Sequence, residues 1–160
     1  MSGYPPGPFD IQWVLVDELA KSPRPGYPER QGIGTDEVDD WIEEIRGMGI
    51  RSIICFLSND QLPFYSGLPS GLIQYYRDAG FEVAHIPEDD YKTPPLSEEG
   101  VRESVTSFER LQKPVMVHCS AGIARTGMAI YAILDVTYSS PDPRITALIQ
   151  YLARRDDISN

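Results

Sequence analysis

Residues 114–127 read PVMVHCSAGIARTG, and the change of character midway through this stretch decides the fold. Pro114 opens a short run rich in valine, Val115–His118, which reads as a buried strand. A helix is predicted from about Arg125 to Tyr138. Between them lie small residues and one glycine, so the chain passes from strand to helix through a tight loop. That succession is half of a strand–helix–strand unit.

Working outward, the same alternation repeats. Ser97 is placed to cap a helix carrying Val101, Val105, Phe108 and Leu111 on one face. Before it, residues 87–95 (PEDDYKTPP) form an acidic, proline-flanked loop, and Phe81–Ile86 reads as a strand. Gly71–Ala79 reads as a helix ended by Gly80, and Ser58–Ser70 as irregular. Ile50–Leu57 is β-branched, short and apolar, as a buried strand is. Thr35 is a candidate cap for a helix with Asp36 and Glu37 at its positive end, Val38, Trp41, Ile42, Ile45 and Met48 at helical spacing, and Gly49 as its stop. Trp13–Val16 reads as a strand, and Ser22–Pro28 (SPRPGYP) as a loop punctuated by three prolines. Downstream, Asp142-Pro143 suits the start of a last helix reaching about Arg154. The expected class is α/β: a central, mostly parallel sheet of about four or five strands, flanked by helices on both faces.

The chain has 160 residues, which fits one core, expected over 11–160 behind a Pro- and Gly-rich arm at 1–10. Two cysteines, Cys55 and Cys119, are too few for a disulfide framework or a thiolate zinc site, and neither histidine sits in a metal-ligand pattern. No metal or other cofactor is expected. A formal net charge of −10 disfavours nucleic acid and anionic membrane surfaces as partners. The longest apolar runs are too short to span a bilayer and the start lacks the layout of a secretory signal, so a cytoplasmic location is expected. Any site that handles an anion must therefore gather its few positive groups locally.

The loop from Cys119 to Arg125 offers such a gathering. At the carboxyl end of a strand and the start of a helix, successive backbone N–H groups can converge on one dianionic phosphoryl group. Gly122 gives the turn its freedom, and Ser120, Ala121 and Ala124 are small enough for close backbone approach, with Ile123 completing the loop. The same donors favour a thiolate at Cys119. Arg125 can return its planar fork to two phosphoryl oxygens. Thr126 can donate its hydroxyl to the Cys119 sulfur. His118 is expected to buttress the loop, and His85 to be core or satisfied edge. An acid for the leaving oxygen would come from Glu88, Asp89 or Asp90.

His118–Gly127 (HCSAGIARTG) resembles the signature of the cysteine-dependent protein tyrosine and dual-specificity phosphatases, His-Cys-x5-Arg-Ser/Thr, which arises by chance in roughly one in several thousand chains of this length. Residues 13–27 and 61–87 look like the small archaeal-type and bacterial dual-specificity members, and the likeness covers most of 11–155. It implies their fold, and hydrolysis of phosphotyrosine, and of phosphoserine or phosphothreonine, through a phosphocysteine intermediate. Cys119 would be the nucleophile, with phosphoprotein as the partner. Asp90-Tyr91-Lys92-Thr93-Pro94 is similar to the family's acid loop, Asp-x-x-Thr-Pro, which assigns the acid to Asp90 with Asp89 as fallback. Tyr91 and Ile123 would line the pocket's sides. Lys21 and Arg24 would sit at its rim, with ordinary surface charge the equal alternative. Cys55 reads as a buried inert thiol; a reversible disulfide with Cys119, as in some relatives, is the sharper alternative. Ala124 departs from the Gly or Ser common at its position. The residue that would position the hydrolytic water is not identifiable, Gln150 being a guess. Two other readings stand: a phosphatase of non-protein esters such as phosphoinositides or nucleotides, and a phosphate-binding pseudophosphatase.

Overall fold

The computed structural model describes residues 10–138. Most of the expected arm, the last helix and Gln150 lie outside them. Five strands form one sheet: β1 (Gln12–Leu15), β2 (Leu19–Ser22), β3 (Ser52–Cys55), β4 (Glu82–His85) and β5 (Val115–His118). Their order is β1-β2-β5-β3-β4. β2, β5, β3 and β4 run parallel, and β1 joins β2 antiparallel. The helices are α1 (Thr35–Gly47), α2 (Leu72–Asp78), α3 (Glu98–Arg110) and α4 (Ala124–Tyr138), with a 3₁₀ turn at Leu62–Tyr65 inside the segment expected to be irregular.

Side-chain alternation along each strand divides the core into two layers. Ala20, Ile53, Cys55 and Met116 pack with Val38, Trp41, Ile42 and Ile45 of α1 and Leu72 and Tyr76 of α2. Leu19, Ile54, Ala84, Val115 and Val117 pack with Phe108 of α3 and Met128, Ala129, Ile130 and Ile133 of α4. β5, third of five, is buried along its whole length, which is why its sequence is near-continuously apolar.

Three expectations need correction. β2 was not anticipated: Asp17, at φ 63°, turns the chain from β1 straight back into Leu19–Ser22. The Ile50–Leu57 and Phe81–Ile86 runs contribute only four ladder residues each. Ile50, Phe56, Leu57, Phe81 and Ile86 are nevertheless buried, because apolar character reports burial rather than hydrogen bonding. The first helix is capped by Gly34 rather than Thr35, and Glu37 Oε2 accepts from the Gly34 N–H at 3.2 Å. Ser97 does cap α3, its Oγ accepting from Gly100 N at 3.0 Å.

Candidate active site

Each of the four parallel strands ends on the same side of the sheet and sends one segment toward a common cavity: Arg24 after β2, Gln61 after β3, Asp90 after β4, and Cys119–Arg125 after β5. The cavity holds about 310 Å³. Cys119, Ser120, Ala121, Ile123, Ala124 and Arg125 line it, with Asp90, Tyr91 and Lys92 from the acidic loop and Arg24, Tyr27 and Arg30 from the loop after β2.

The backbone of the Cys119 loop is fixed by what holds its carbonyls. The His118 carbonyl accepts from Phe56 N at 3.0 Å and the Ser120 carbonyl from Arg24 N at 2.9 Å. The Cys119 carbonyl accepts from His118 Nδ1 at 2.9 Å. In a trans peptide the N–H points opposite to its C=O. The N–H groups of Cys119, Ser120 and Ala121 are therefore turned away from these partners. Gly122 adopts φ 79°, and a Cβ there would come within 2.6 Å of the Ser22 carbonyl oxygen and 2.7 Å of Pro23 N, so a side chain fits neither the conformation nor the space.

His118 is fully buried among Trp41 and Tyr76. Because Nδ1 donates to a carbonyl, Nε2 carries the lone pair, which accepts from the Tyr76 hydroxyl at 2.9 Å. Burial lowers its pKa to about 4, and the nearby Arg125 pushes the same way. The imidazole is neutral and holds the loop by its hydrogen bond to the Cys119 carbonyl.

Arg125 is almost fully buried. Its Nη1 is held by the Phe56 carbonyl (3.0 Å), Gln61 Oε1 (2.9 Å) and the Glu88 carbonyl (2.8 Å). Nε and Nη2 make no hydrogen bond; Nη2 lies 2.9 Å from Asp90 Oδ2 as an ion pair without hydrogen-bond alignment. One edge of the guanidinium is thus anchored, and the other keeps donors for an anion.

Of the three acidic candidates, Asp90 alone lines the cavity. Its Oδ2 accepts from Gln61 Nε2 at 3.1 Å. Asp89 is exposed. Glu88 turns to the start of α3, accepting from Ser97 N at 2.5 Å and Ser97 Oγ at 2.8 Å, and pairs with Lys92 at 3.1 Å. Tyr91 and Ile123 do flank the opening, both exposed.

Some expected contacts are not made. The Thr126 hydroxyl is buried without a hydrogen-bond partner, so its bond to the Cys119 sulfur is not formed. Lys21 is half-buried within β2, not among the residues lining the cavity. Cys55 packs in the layer beneath α1 and α2, and Cys119 in the layer beneath α3 and α4; both thiols are free. Burial pushes the Cys55 thiol up to about 12. His85 Nε2 satisfies the Leu57 carbonyl at 2.8 Å. Among the described residues no group of three or more His, Cys, Asp or Glu could hold a metal ion, and no helix is long and apolar enough to cross a membrane.

Two residues exceed what the sequence reading offered. Gln61 ties Arg125 to Asp90, and nothing in its irregular segment marked it. Arg24 is buried, donates from Nε to Ser120 Oγ at 3.1 Å, and lies under Tyr27 and Phe64. Its position between two prolines was a cue to a fixed backbone, not to burial.

Comparison with known proteins agrees with this architecture. Dual specificity protein phosphatase OPG106 of vaccinia virus (strain Copenhagen) is 30% identical over 81 residues, 49% of this chain and 47% of that protein. The chain thus spans about half the length of this curated relative. The crystal structure of Tk-PTP in the active form superposes with a TM-score of 0.60 at 18% identity, covering 91% of this chain and 97% of the other. A DUF442 protein of Shewanella putrefaciens CN-32, described as a candidate phosphatase, gives 0.58 at 17% identity, covering 92% and 93%. These two share the fold. Residues 31–138, which run from the start of α1 to the end of α4 and include the whole Cys119 loop, match the family described as Tc-R-P, polymorphic toxin system, DSP-PTPase phosphatase, and the chain belongs to that family within the dual-specificity phosphatase superfamily.

Proposed function

We propose that the chain is a protein phosphatase acting through a phosphocysteine, on phosphotyrosine and on phosphoserine or phosphothreonine. One observation carries the reading: Cys119, Asp90 and Arg125, two of whose nitrogens make no hydrogen bond, line a single cavity. The phosphoryl group takes the loop amides and Arg125 Nε and Nη2, displacing Asp90 from its ion pair toward the leaving oxygen. Asp90, released from the arginine, takes up a proton from solvent; the Cys119 thiolate attacks phosphorus, the P–O bond to the alcohol breaks, and Asp90 passes that proton to the departing oxygen. Water then attacks phosphorus, giving a proton to Asp90, while the S–P bond breaks and inorganic phosphate leaves. Arg125 and the amides stabilise the charge that spreads over the equatorial oxygens in both steps. Thr126 has a hydroxyl free to turn to the sulfur as it leaves.

The test is turnover of p-nitrophenyl phosphate and phosphotyrosine peptides, followed by acid quench and peptide mass spectrometry. Phosphate on the Cys119 peptide is expected, and Cys119→Ser should bind substrate without turning it over. Turnover with phosphate never found on Cys119 would overturn the mechanism.

A further inference from the structure

Glu88 has no part in the reaction scheme, yet its carboxylate is the most deeply set of the three in the acidic loop. Its side chain is 9% exposed, against 24% for Asp90, and Asp89 faces solvent. Burying a carboxylate is costly unless it is paired and hydrogen-bonded, and Glu88 is both. Oε1 accepts from Ser97 N at 2.5 Å and from Ser97 Oγ at 2.8 Å, and Oε2 pairs with Lys92 Nζ at 3.1 Å. The positive end of α3 lies directly behind Ser97 and favours the same charge. Gly100, buried in the first turn of α3, makes the room: a Cβ there would collide with Glu88 Oε1.

This seat serves the loop more than the helix. Ser97 already caps α3, its Oγ accepting from Gly100 N at 3.0 Å. In the loop, the Glu88 backbone carbonyl accepts from Arg125 Nη1 at 2.8 Å, and Asp90 follows two residues later. Lys92 returns to Oε2, so the ion pair closes residues 88–92 on themselves with Asp90 at their centre. Tyr91 stands at φ 60°, and its N–H donates to Asp90 Oδ1 at 3.0 Å. A residue other than glycine adopts that left-handed conformation only where its surroundings hold it. Glu88 supplies a hold from outside the turn.

We propose that Glu88 is a positioning residue: its carboxylate, seated on the start of α3, holds the acidic loop in the shape that delivers Asp90 to the leaving oxygen. The proposal rests on the phosphatase reading and deepens it. The loop's carboxyls then divide the work, Asp90 carrying the proton and Glu88 setting where that proton arrives. Glutamine at this position can accept the same two Ser97 bonds, whereas alanine can accept neither.

The experiment measures kcat/KM for p-nitrophenyl and phenyl phosphate, esters with a good and a poor leaving group, in the parent, Glu88→Ala, Glu88→Gln and Gly100→Ala. In Glu88→Ala the loss should be at least about tenfold greater on phenyl phosphate, because a misplaced acid matters most to the poorer leaving group. Glu88→Gln should recover most of that difference. Gly100→Ala pushes the Glu88 carboxylate off its seat without altering it, and alanine suits a helix, so this variant should reproduce the Glu88→Ala pattern. In an Asp90→Asn background, Glu88→Ala should add less than about threefold on phenyl phosphate, since no acid is left to position. Equal losses on the two esters, or losses that multiply fully with Asp90→Asn, mark a merely structural role and overturn the proposal. Should Glu88→Ala fail to fold, Gly100→Ala decides by the same criteria. Should the parent hydrolyse neither ester, the phosphatase reading fails by itself, and amide hydrogen exchange across residues 86–96 decides on Glu88. Exchange about tenfold faster in Gly100→Ala supports the hold, and equal exchange overturns it.

Discussion

Asp90 and Asp89 are neighbours in sequence with opposite environments, and that difference makes a sharp prediction. Asp90 reaches Arg125 and Gln61 inside the cavity, whereas Asp89 faces solvent. Asp90→Asn should cost about 10²–10⁴-fold in kcat on alkyl phosphates, whose leaving oxygens need a proton, and much less on p-nitrophenyl phosphate. Asp89→Asn should leave both rates near the parent's, and the reverse pattern would move the acid by one residue. Gln61 earns a second prediction. Its Oε1 accepts from Arg125 Nη1 and from Ser58 N at 3.2 Å, and its Nε2 donates to Asp90, so the amide is fixed from both ends. Gln61→Ala removes one anchor of the arginine and the donor on the acid. A loss of about 10–100-fold in kcat/KM is expected, shared between kcat and KM. Kinetics within about threefold of the parent would reduce Gln61 to a bystander.

Among the elements, the contact between the Cys119 loop and the end of β2 is the tightest in the site. Gly122→Ala puts a methyl group against the Ser22 and Pro23 backbone, in a region of φ that alanine avoids. The variant should lose about 2–4 kcal/mol of stability in urea unfolding, and most of its activity, because the loop must shift. A variant of parental stability would show that the loop can back away from β2. This same contact marks the limit of what was legible in the sequence. Cys119, Arg125 and the loop between β5 and α4 could be read because a short apolar strand, small residues and an arginine are all adjacent in the chain. β2 could not: Leu-Ala-Lys-Ser has no alternation over four residues, and proline follows it at once. Its burial comes from β1 and β5 pairing on either side, which no local pattern encodes. Gln61 escaped for the same reason, as did the burial of Arg24, a residue expected at the cavity's rim only from the family resemblance. Each is a polar residue in an irregular segment, and only the convergence of strand ends gives it a partner.

Over the whole molecule, the site is tied to the fold's stability through His118, the last residue of the central strand, which joins the core layer beneath α1 and α2 to the loop. The imidazole is fully buried, with Nδ1 on the Cys119 carbonyl and Nε2 accepting from Tyr76. Folded, it takes up a proton only near pH 4, against 6.5 for an ordinary histidine, chiefly because burial penalises its charged form. Between those values the unfolded chain binds the proton and the folded chain does not. Stability therefore rises with pH across this window, is fully present above about 6.5, and is lost progressively as pH falls toward 4. The shift corresponds to about 3 kcal/mol, lost at a slope approaching 1.4 kcal/mol per pH unit from this residue alone. Urea unfolding at steps from pH 7.5 to pH 4.5 should show the midpoint dropping throughout the acidic half of that range. Nitrogen NMR of the His118 ring should show a neutral imidazole still protonated at Nδ1 at pH 5. An imidazolium at that pH, with the fold intact, would mean that the brace behind the Cys119 loop tolerates charge, and the slope would then have to come from other groups.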